Sequence, residues 1–538
     1  LHKGTFWLDD LQVGSDASVR AAPPPLVIQA PARLTLLPGG AFTELLPVSG
    51  MTDGDAVELT GADPQLLAAA DISPQGNHLR LTLSALPDVA GTTRLTIRVS
   101  DQANRQAEKS IDVNIPERGA TTLVAVDRST HYQTIDGFGA FLGTGVWEAA
   151  RQDLTLPFVQ DLGITVARFG IIDVDFEPCN DNDNPDVTDF SAFDTSAIPL
   201  DWMRRLKAET AIDKFILTVW SPPAWMKKNR TQAAIPTSGD NFVEERYYEE
   251  YAEFLTAIVR VIKEHTDIDL YAISVQNEPQ FNEPYASALL SADNMARVLQ
   301  VVAVRFAAEG IQTKLFMPEA LPAQGGIHEY IRQLDLLPEA SQGTDIIAIH
   351  NYDADGIRVG GAGAQEWSSI AKWANAARPR QVWMTETSGH ADTWSGAETL
   401  FGNIYNALVY GKASAWVWWT LAETSANAKF GLVVDNQATS RYAVSRHFYR
   451  AAQPGAVRVA TTSDADLLSV AFDNPDGTVA VVLYNAGKSR LVSCTGAGAL
   501  TAAWVSQDGL LSRPAQVDGE RVLLPAGGVA TLIYGSRP

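Results

Sequence analysis

Hydrophobic and polar residues follow different patterns in different parts of this chain, and the two clearest patterns predict two kinds of domain. From 27 to 118, short runs such as HLRLTLSAL and TTRLTIRVS alternate apolar and polar residues and are separated by Gly, Pro, Asp and Asn. This period of two, with turn residues at regular spacing, predicts an immunoglobulin-like β-sandwich. The same alternation returns from 454 to 538 and predicts a second β-sandwich, which a strand in 119–132 is expected to join.

Between these segments, residues 133–453 alternate strand-length apolar runs with long amphipathic stretches. The stretch 244–265 places apolar residues at three-to-four spacing on one side and Glu on the other, and 291–310 opens with Ser-Ala-Asp and stops at Gly310. Eight buried strands that alternate with helices predict a closed (β/α)8 barrel of the TIM type. The eight runs are 133–141, 164–171, 214–220, 270–278, 314–320, 346–352, 381–386 and 415–420.

The first 26 residues carry a weaker pattern. Residues 1–19 are expected to form one or two strands, either the remnant of an upstream β module or a strand docked on the next domain, because a lone hairpin cannot bury its own apolar face. Residues 20–26 are predicted to be a stiff proline-rich linker. The chain starts at Leu1 without a signal-peptide pattern, so we expect a processed or truncated chain.

Composition narrows the possible functions. Apolar residues make up 46% of the 538 residues, which is enough for sizeable cores in about two to four domains. Acidic residues outnumber basic ones 63 to 41, and this charge of −22 argues against nucleic-acid binding, which needs Lys and Arg. No apolar run reaches the ~18 residues of a membrane span. The two cysteines exclude a four-cysteine zinc site, and a disulfide between Cys179 and Cys494 is possible but not favoured. We expect a monomer that acts on a neutral ligand.

The ends of the predicted barrel strands carry the candidate chemistry, since barrel active sites gather there. Two runs end in a glutamate, Glu278 and Glu386. A single such glutamate is often a solvated or salt-bridged residue, but two that face each other across a cleft can act as the acid and the nucleophile of glycoside hydrolysis. The other candidates, which could bind the substrate, are Arg168, Trp220, Trp225, Asn277, His350, Tyr352, Trp418 and Trp419.

Several motifs at these positions resemble glycoside hydrolase family 30 of clan A. They are QTIDGFGA (133–140), WSPPAWMK (220–227), LYAISVQNEP (270–279), WMTE (383–386), AWVWW (415–419) and QPGAVRV (453–459). The resemblance implies a retaining mechanism that needs neither cofactor nor metal, with Glu278 as the general acid/base and Glu386 as the nucleophile. In such enzymes the two carboxyl groups lie about 5–5.5 Å apart.

The resemblance also implies roles for the neighbouring residues. Asn277 is expected to hydrogen-bond the sugar 2-hydroxyl, and Arg168 to keep Glu386 ionised, because a nearby cation favours a charged carboxylate. Glu278 is expected to have a raised pKa, owing to apolar surroundings and the charge on Glu386. His350 and Tyr352 are candidates from their place on strand six, although a lone histidine on a strand is often a core residue.

Three tryptophans, Trp220, Trp225 and Trp419, are candidate platforms for sugar rings, with core packing as the alternative for each. Trp418 and Trp419 point to opposite faces of a regular strand, so only one of them is expected to line the cleft.

The sequence motifs indicate the substrate less closely than they indicate the reaction. Glucuronoxylan-specific members of family 30 carry Arg and Tyr just after the strand-eight tryptophans, whereas this chain has WTLAETS (419–425), with Glu423 in a position to repel an anionic branch. We therefore expect an endo-β-1,4-xylanase without strict glucuronate dependence, and an endo-β-1,6-glucanase or another family 30 β-glycosidase as the alternative. Because polysaccharide lies outside cells, a secreted, periplasmic or cell-surface location is expected.

Other classes of protein fit less well. A non-catalytic carbohydrate-binding protein would typically have lost one carboxylate, a purely structural protein would not need the barrel, and a metal-dependent hydrolase would need His and Asp clustered at the strand ends. The loop 177–190 is rich in Asp and Asn, which are calcium ligands, but it lacks the order of an EF-hand. We favour a polar loop at the rim of the cleft for this segment over a calcium site.

Overall fold

The computed structural model describes residues 24–119, 121–145, 152–236, 238–322, 326–352, 361–424, 430–462 and 465–535. The chain divides into two compact units, Leu1–Arg118 and Gly119–Pro538. The strands predicted for 1–19 and the linker residues up to 23 lie outside the described residues.

The first unit is built from two four-stranded sheets, with strand orders β1-β3-β6-β5 and β2-β8-β7-β4. The alternating pattern gives each sheet one buried face: in β6, for example, Leu79, Leu81 and Leu83 are fully buried, while Arg80 between them is exposed. The immunoglobulin-like assignment stays a prediction. The strands are β1 Val27–Ile28, β2 Arg33–Thr35, β3 Ala41–Ser49, β4 Ala56–Thr60, β5 Leu67–Gln75, β6 His78–Ala85, β7 Gly91–Ser100 and β8 Gln106–Ile115.

The second unit begins with β9 (Thr122–Thr134) and continues into a closed barrel of eight parallel strands, as the sequence predicted. Its interior is a packed core: Ile216, Phe316, Trp383 and Val417 are among the side chains that fill it. Only the strand ends are therefore open to a ligand. The barrel strands are β10 Gly137–Phe141, β11 Val166–Ile171, β12 Lys214–Val219, β13 Ala272–Ser274, β14 Lys314–Ala320, β15 Thr344–His350, β16 Gln381–Glu386 and β17 Ala415–Trp418.

Helices alternate with the barrel strands and bury their apolar sides in one continuous cluster with them. The fourth helix has the ends that its sequence predicts: Ser291 Oγ accepts a hydrogen bond from the Asn294 N–H, and Gly310 ends the helix in the left-handed conformation. In the described residues the α-helices are α1 Gln152–Leu162, α2 Leu200–Glu209, α3 Tyr248–Thr266, α4 Ala292–Glu309, α5 Ile327–Leu334, α6 Pro338–Gly343, α7 Gly361–Ala374, α8 Trp394–Val409 and α9 Ser440–Tyr449.

The chain ends in a β-sandwich whose strands connect through β9. This strand pairs in parallel with β24 and antiparallel with β21, which gives the order β26-β25-β29-β23-β22-β21-β9-β24-β28-β27. A small sheet, formed by β18 Ala422–Glu423, β19 Val433–Val434 and β20 Gln437–Ala438, follows the last barrel strand. The later strands are β21 Val457–Thr461, β22 Leu467–Asp473, β23 Val479–Asn485, β24 Arg490–Thr495, β25 Ala499–Gln507, β26 Leu510–Pro514, β27 Val517–Asp518, β28 Arg521–Leu524 and β29 Val529–Gly535.

The two cysteines are free. Cys179 is exposed, and Cys494 is buried in β24. As to membranes, no helix among the described residues combines the length and the apolar character needed to cross one.

Candidate active site

The two glutamates singled out in the sequence come together at the open end of the barrel. Glu386 is the last residue of β16, and Glu278 follows β13 on the opposite side. One carboxylate oxygen of each glutamate and a ring nitrogen of His350 all lie within 4.8 Å of one another. Two carboxyl groups at this separation can act on the same bond of a ligand.

Glu386 is held in place by a cation and a phenol. Arg168 Nη1 donates to Glu386 Oε2 at 2.5 Å, and the Tyr352 hydroxyl donates to Oε1. Arg168 is itself fully buried, with its guanidinium 4.9 Å from the centre of the Trp220 ring. Both oxygens of Glu386 are therefore held in place by hydrogen-bond donors. Arg168 and Tyr352 orient Glu386, which is a different task from binding the substrate directly.

A third carboxylate, Glu319 on β14, belongs to this site and was missed by the sequence reasoning. Its Oε1 accepts hydrogen bonds from Arg168 Nη2 at 3.0 Å and from His350 Nε2 at 3.2 Å, and the side chain is fully buried. Burial alone would raise the pKa of Glu319, but the charges of Arg168 and His350 outweigh it and lower the pKa to about 2. The signal was available, because KLFMPEA (314–320) also places a carboxylate at a strand end.

His350 lies between two of the glutamates. Its Nδ1 is 3.1 Å from Glu278 Oε1, and its Nε2 is bonded to Glu319. Burial would lower the pKa of His350, but the charge on Glu386 and the bonds to Glu278 and Glu319 raise it to about 9. At neutral pH the ring is therefore a cation that donates from both nitrogens.

Glu278 differs from Glu386 in its electrostatic surroundings. Burial raises its pKa, the hydrogen bond from His350 opposes that rise, and the charge on Glu386 adds to it, with a raised pKa as the net result. The carboxyl group of Glu278 is thus the one predisposed to carry a proton. Its backbone is held at φ 42° in the left-handed region, a conformation that non-glycine residues adopt at a cost and that is frequent at active sites.

Asn277 lies next to Glu278 and is almost fully buried. Its Oδ1 accepts a hydrogen bond from Arg168 Nη2 at 3.0 Å, and its backbone N–H donates to the Val219 carbonyl at 2.8 Å. Arg168 therefore fixes the amide so that the nitrogen is the end that can donate to a ligand.

Aromatic side chains gather near Arg168, the residue that bonds to Glu386. Trp419 is half-buried, and its ring lies 4.3 Å from Phe141 and 5.7 Å from Trp220. Trp220 is only 5% exposed and covers Arg168, so it supports the site more than it offers a surface. Trp225 is partly exposed and packs edge-on against Tyr247.

Trp418 does not line the cleft, which corrects its place among the candidate binding residues. It is fully buried, donates from Nε1 to the Phe430 carbonyl at 2.6 Å and stacks near His390. The reason is the alternation of side chains along β17, which turns Trp418 to the helical layer and Val417 to the barrel interior. Of the pair, Trp419 is the residue that remains available to a ligand.

Tyr285 is another residue that the sequence reasoning passed over. Its side chain is 51% exposed, yet it is close enough to Glu278 and Glu386 for their charges, after burial and Glu283, to help raise its pKa to about 12. An exposed aromatic ring beside the glutamates offers a further surface to a ligand.

Comparisons with known proteins relate this chain to glycoside hydrolases. Residues 455–532 match the model of the glycosyl hydrolase family 30 beta sandwich domain. The chain is 26% identical over 337 residues to the glucuronoxylanase XynC of Bacillus subtilis strain 168, an alignment that covers 58% of this chain and 72% of that protein. The chain is homologous to the family 30 glycoside hydrolases.

Solved structures of other proteins share the fold of this chain. The catalytic domain of xylanase C from Talaromyces cellulolyticus superposes with a TM-score of 0.62 at 22% identity, covering 77% of this chain and 99% of that one. The endo-β1,6-glucanase BT3312 gives a TM-score of 0.58, also at 22% identity, covering 77% and 94%. Glycosidase chemistry therefore has support from homology, while xylan and β-1,6-glucan are substrates of proteins with the same fold.

Proposed function

We propose that this protein is a retaining glycoside hydrolase that cleaves internal bonds of xylan, without strict dependence on glucuronate branches. The observation that carries this proposal is the pair Glu278 and Glu386, whose oxygens lie within 4.8 Å of each other but whose surroundings differ. A short separation leaves no room for a water between carboxylate and sugar, so it favours direct attack by one carboxylate.

In the first step, Glu386 attacks the anomeric carbon while Glu278 gives its proton to the glycosidic oxygen. The bond between the anomeric carbon and the leaving oxygen breaks, and a glycosyl ester on Glu386 forms. Arg168 and Tyr352 orient Glu386 before the attack. The Asn277 amide donates to the 2-hydroxyl of the sugar, a contact that strengthens as positive charge develops on the ring.

In the second step, Glu278 is a carboxylate and removes a proton from a water molecule. The water oxygen bonds to the anomeric carbon, the ester to Glu386 breaks, and the sugar leaves with its original β configuration. Loss of the negative charge on Glu386 in the ester intermediate lowers the pKa of Glu278, because like charges raise it in the free enzyme. One residue can therefore act as acid and then as base.

The absence of a glucuronate requirement is proposed from the segment after β17. Glu423 Oε2 accepts hydrogen bonds from the backbone N–H groups of Phe430 and Gly431, both at 2.7 Å, so this carboxylate is tied into the loop beyond the barrel. A fixed negative charge here disfavours an anionic branch on the substrate. The similarity to a glucuronoxylanase supports xylan as the main chain.

An endo-β-1,6-glucanase is the second candidate. A β-1,6-glucanase superposes almost as well as the xylanase, and the catalytic geometry would serve either linkage. An enzyme acting on either polysaccharide is proposed to work outside the cytoplasm, where its substrate is found.

The test is a panel of polysaccharides with product analysis by chromatography and by proton NMR of the first-formed anomer. Linear xylan, glucuronoxylan and β-1,6-glucan are digested by wild type and by Glu386→Gln. We expect β-configured xylo-oligosaccharides from both xylans and none from the variant. Products from glucuronoxylan alone would contradict the branch assignment, and products from β-1,6-glucan alone would establish the second candidate.

A matched control separates catalysis from binding. Glu329→Gln removes an exposed carboxylate on α5 whose hydrogen-bond partners are Arg332 and Gln333, and it should leave all rates unchanged. If wild type binds xylan in affinity electrophoresis but releases no product from any polysaccharide, and Glu386→Gln binds equally, the protein is a carbohydrate-binding protein instead of an enzyme.

A further inference from the structure

Lys227 is a fully buried lysine that takes no part in the proposed reaction. It lies in the loop between β12 and α3, and its side chain is 0% exposed. Its Nζ donates to Ser221 Oγ at 2.9 Å, to the Gln232 carbonyl at 2.6 Å and to the Ser287 carbonyl at 2.7 Å. Because Ser221 Oγ donates its own hydrogen to the Pro222 carbonyl, all three contacts need hydrogens from Lys227, and the protonated amine has three.

Through these bonds Lys227 joins two loops at the open end of the barrel. Gln232 belongs to the same loop as Lys227, whereas Ser287 belongs to the loop between β13 and α4. The Ser287 N–H also donates to the Gln232 carbonyl, at 3.1 Å, and Ala233 forms an antiparallel bridge with Ala286. The Gln232 carbonyl therefore accepts from both loops at once.

A second buried side chain, Asn241, strengthens the same connection. Its Nδ2 donates to Asn282 Oδ1 at 2.9 Å and to Ser287 Oγ at 3.1 Å, and its carbonyl accepts from the Leu289 N–H at 2.7 Å. Asn241 lies on the loop of Lys227, and its three partners lie on the loop between β13 and α4. The two loops are thus held together as one unit by buried polar groups.

The loop between β13 and α4 borders the site of the proposed reaction. It contains Glu278 and, seven residues later, Tyr285. Ala286 is buried against Trp220, in a cluster with which Trp419 also packs. Tyr285 precedes Ala286 and is 51% exposed, so its ring is open to a ligand next to this cluster.

The proposed chemistry decides which part of the substrate lies beside this loop. Glu278 gives its proton to the glycosidic oxygen, so the sugar that leaves lies on the Glu278 side, while Glu386 faces the sugar that stays. A loop that contains Glu278 therefore borders the leaving sugar. An exposed tyrosine offers that sugar a flat apolar surface and a hydroxyl group.

We propose that Lys227 is a positioning residue, which holds Tyr285 in place as the platform for the leaving-group sugar. This inference rests on the proposed function. The same platform also binds an acceptor sugar in the second step. There the ester on Glu386 breaks, a hydroxyl oxygen of the acceptor bonds to the anomeric carbon in place of water, and the hydroxyl proton passes to Glu278.

The test compares a substrate that fills this platform with one that does not. β-Xylobiosyl fluoride has a single atom as its leaving group, whereas xylan places a sugar there. The measurements are kcat/KM on xylan, the rate of fluoride release, and the yield of xylopentaose when xylotriose is added as the acceptor. Gentiobiosyl fluoride and gentiotriose take their place if β-1,6-glucan is the polysaccharide that wild type cleaves.

Tyr285→Ala tests the platform itself. We expect it to lower kcat/KM on xylan and the yield of xylopentaose by about tenfold each, and to leave fluoride release unchanged. Tyr410→Ala is the matched control, because Tyr410 is also an exposed tyrosine but lies between α8 and the start of β17, at the opposite end of the barrel. It should behave as wild type.

Lys227→Met tests the positioning role and should show the same selective losses. Lys228→Met removes the neighbouring exposed lysine, which pairs with Asp240 at 2.9 Å, and should behave as wild type. If Lys227→Met does not fold, Ser221→Ala removes one of the three contacts and should give a smaller loss of the same kind. All assays are run at pH 6, because burial lowers the pKa of Lys227 to about 7 against the charge of Asp175.

The outcomes separate this inference from the proposed function. If wild type cleaves xylan but Tyr285→Ala transfers to xylotriose as well as wild type does, or loses fluoride release in equal proportion, the platform is overturned and the proposed function stands. A folded Lys227→Met or Ser221→Ala protein with wild-type transfer would overturn the role of Lys227. If wild type cleaves neither a polysaccharide nor a glycosyl fluoride, the proposed function fails, and this inference fails with it.

Discussion

The backbone N–H of Glu278 donates a hydrogen bond to the carbonyl oxygen of Glu319 at 3.1 Å. Both residues have left-handed backbones, with φ of 42° and 54°. Through this bond the ends of two neighbouring strands, β13 and β14, are locked together. The acid of the proposed reaction is thus positioned by the backbone of the buried carboxylate that also holds Arg168 and His350.

Replacement of Glu319 by Gln leaves the size of the side chain almost unchanged but should destabilise the protein. It removes the charge that pairs with Arg168, and breaking a fully buried ion pair costs about 3–5 kcal/mol. The folded pKa of about 2 lies below the ordinary 4.5, so this stabilisation exists above pH 4.5 and is lost as the pH falls toward 2. Denaturant unfolding should show the difference from wild type shrinking over that window. A difference that stays constant with pH would contradict it.

His350 should make stability depend on pH in the opposite direction. Its folded pKa of about 9 lies above the ordinary 6.5, so its contribution is complete below pH 6.5 and is lost as the pH rises to about 9. His350→Asn should remove both this pH dependence and the stability that the charged ring contributes. The check is denaturant unfolding of both proteins at pH 6, 7.5 and 9. A difference in the free energy of unfolding that is the same at all three pH values would contradict a charged His350.

Replacement of Glu278 by Gln should remove acid catalysis and leave the nucleophile. We expect kcat on polysaccharide to fall by about 10²–10⁴-fold, the usual contribution of a general acid. An aryl glycoside with a good leaving group, which needs no proton, should still form the glycosyl ester in a burst. In wild type, activity should fall as the pH rises through the raised pKa of Glu278, and the burst of the variant should lack this alkaline limb. Equal losses on both substrates would argue against the role of acid.

Trp418 in β17 and Trp419 just after it should have different effects when each is replaced by Ala, one on folding stability and the other on substrate binding. Trp419→Ala should raise KM by about tenfold, or ~1.4 kcal/mol, with little change in Tm, because it removes a half-exposed ring beside the glutamates. Trp418→Ala should instead lower stability by about 3–5 kcal/mol, since that ring is fully buried. The measurements are KM on xylan and thermal unfolding. A loss of stability in Trp419→Ala together with a raised KM in Trp418→Ala would show that Trp418, and not Trp419, faces the substrate.

Much of the fold follows from local pattern. A strand buried on both faces needs a continuous apolar run, and a helix against it needs an apolar stripe, so eight such alternations specify a barrel before any contact is known. Ser291 and Gly310 fix the ends of α4 for equally local reasons, because a hydroxyl caps the first turn and glycine adopts the left-handed conformation. The positions of Glu278 and Glu386 at strand ends follow from the same reasoning.

Contacts between distant residues could not be derived in this way. Glu319 occupies a strand end like its two counterparts, yet only the closed barrel brings it to Arg168 and His350, which are 151 and 31 residues away in the chain. The burial of Trp418 and the raised pKa of Glu278 likewise depend on what lies opposite in space. The sequence by itself determined the barrel, the flanking sandwiches and the pair of carboxylates, because periodicity and strand ends are local properties. The tertiary structure decided which charges meet, because burial and electrostatic pairing are set by distances across the barrel.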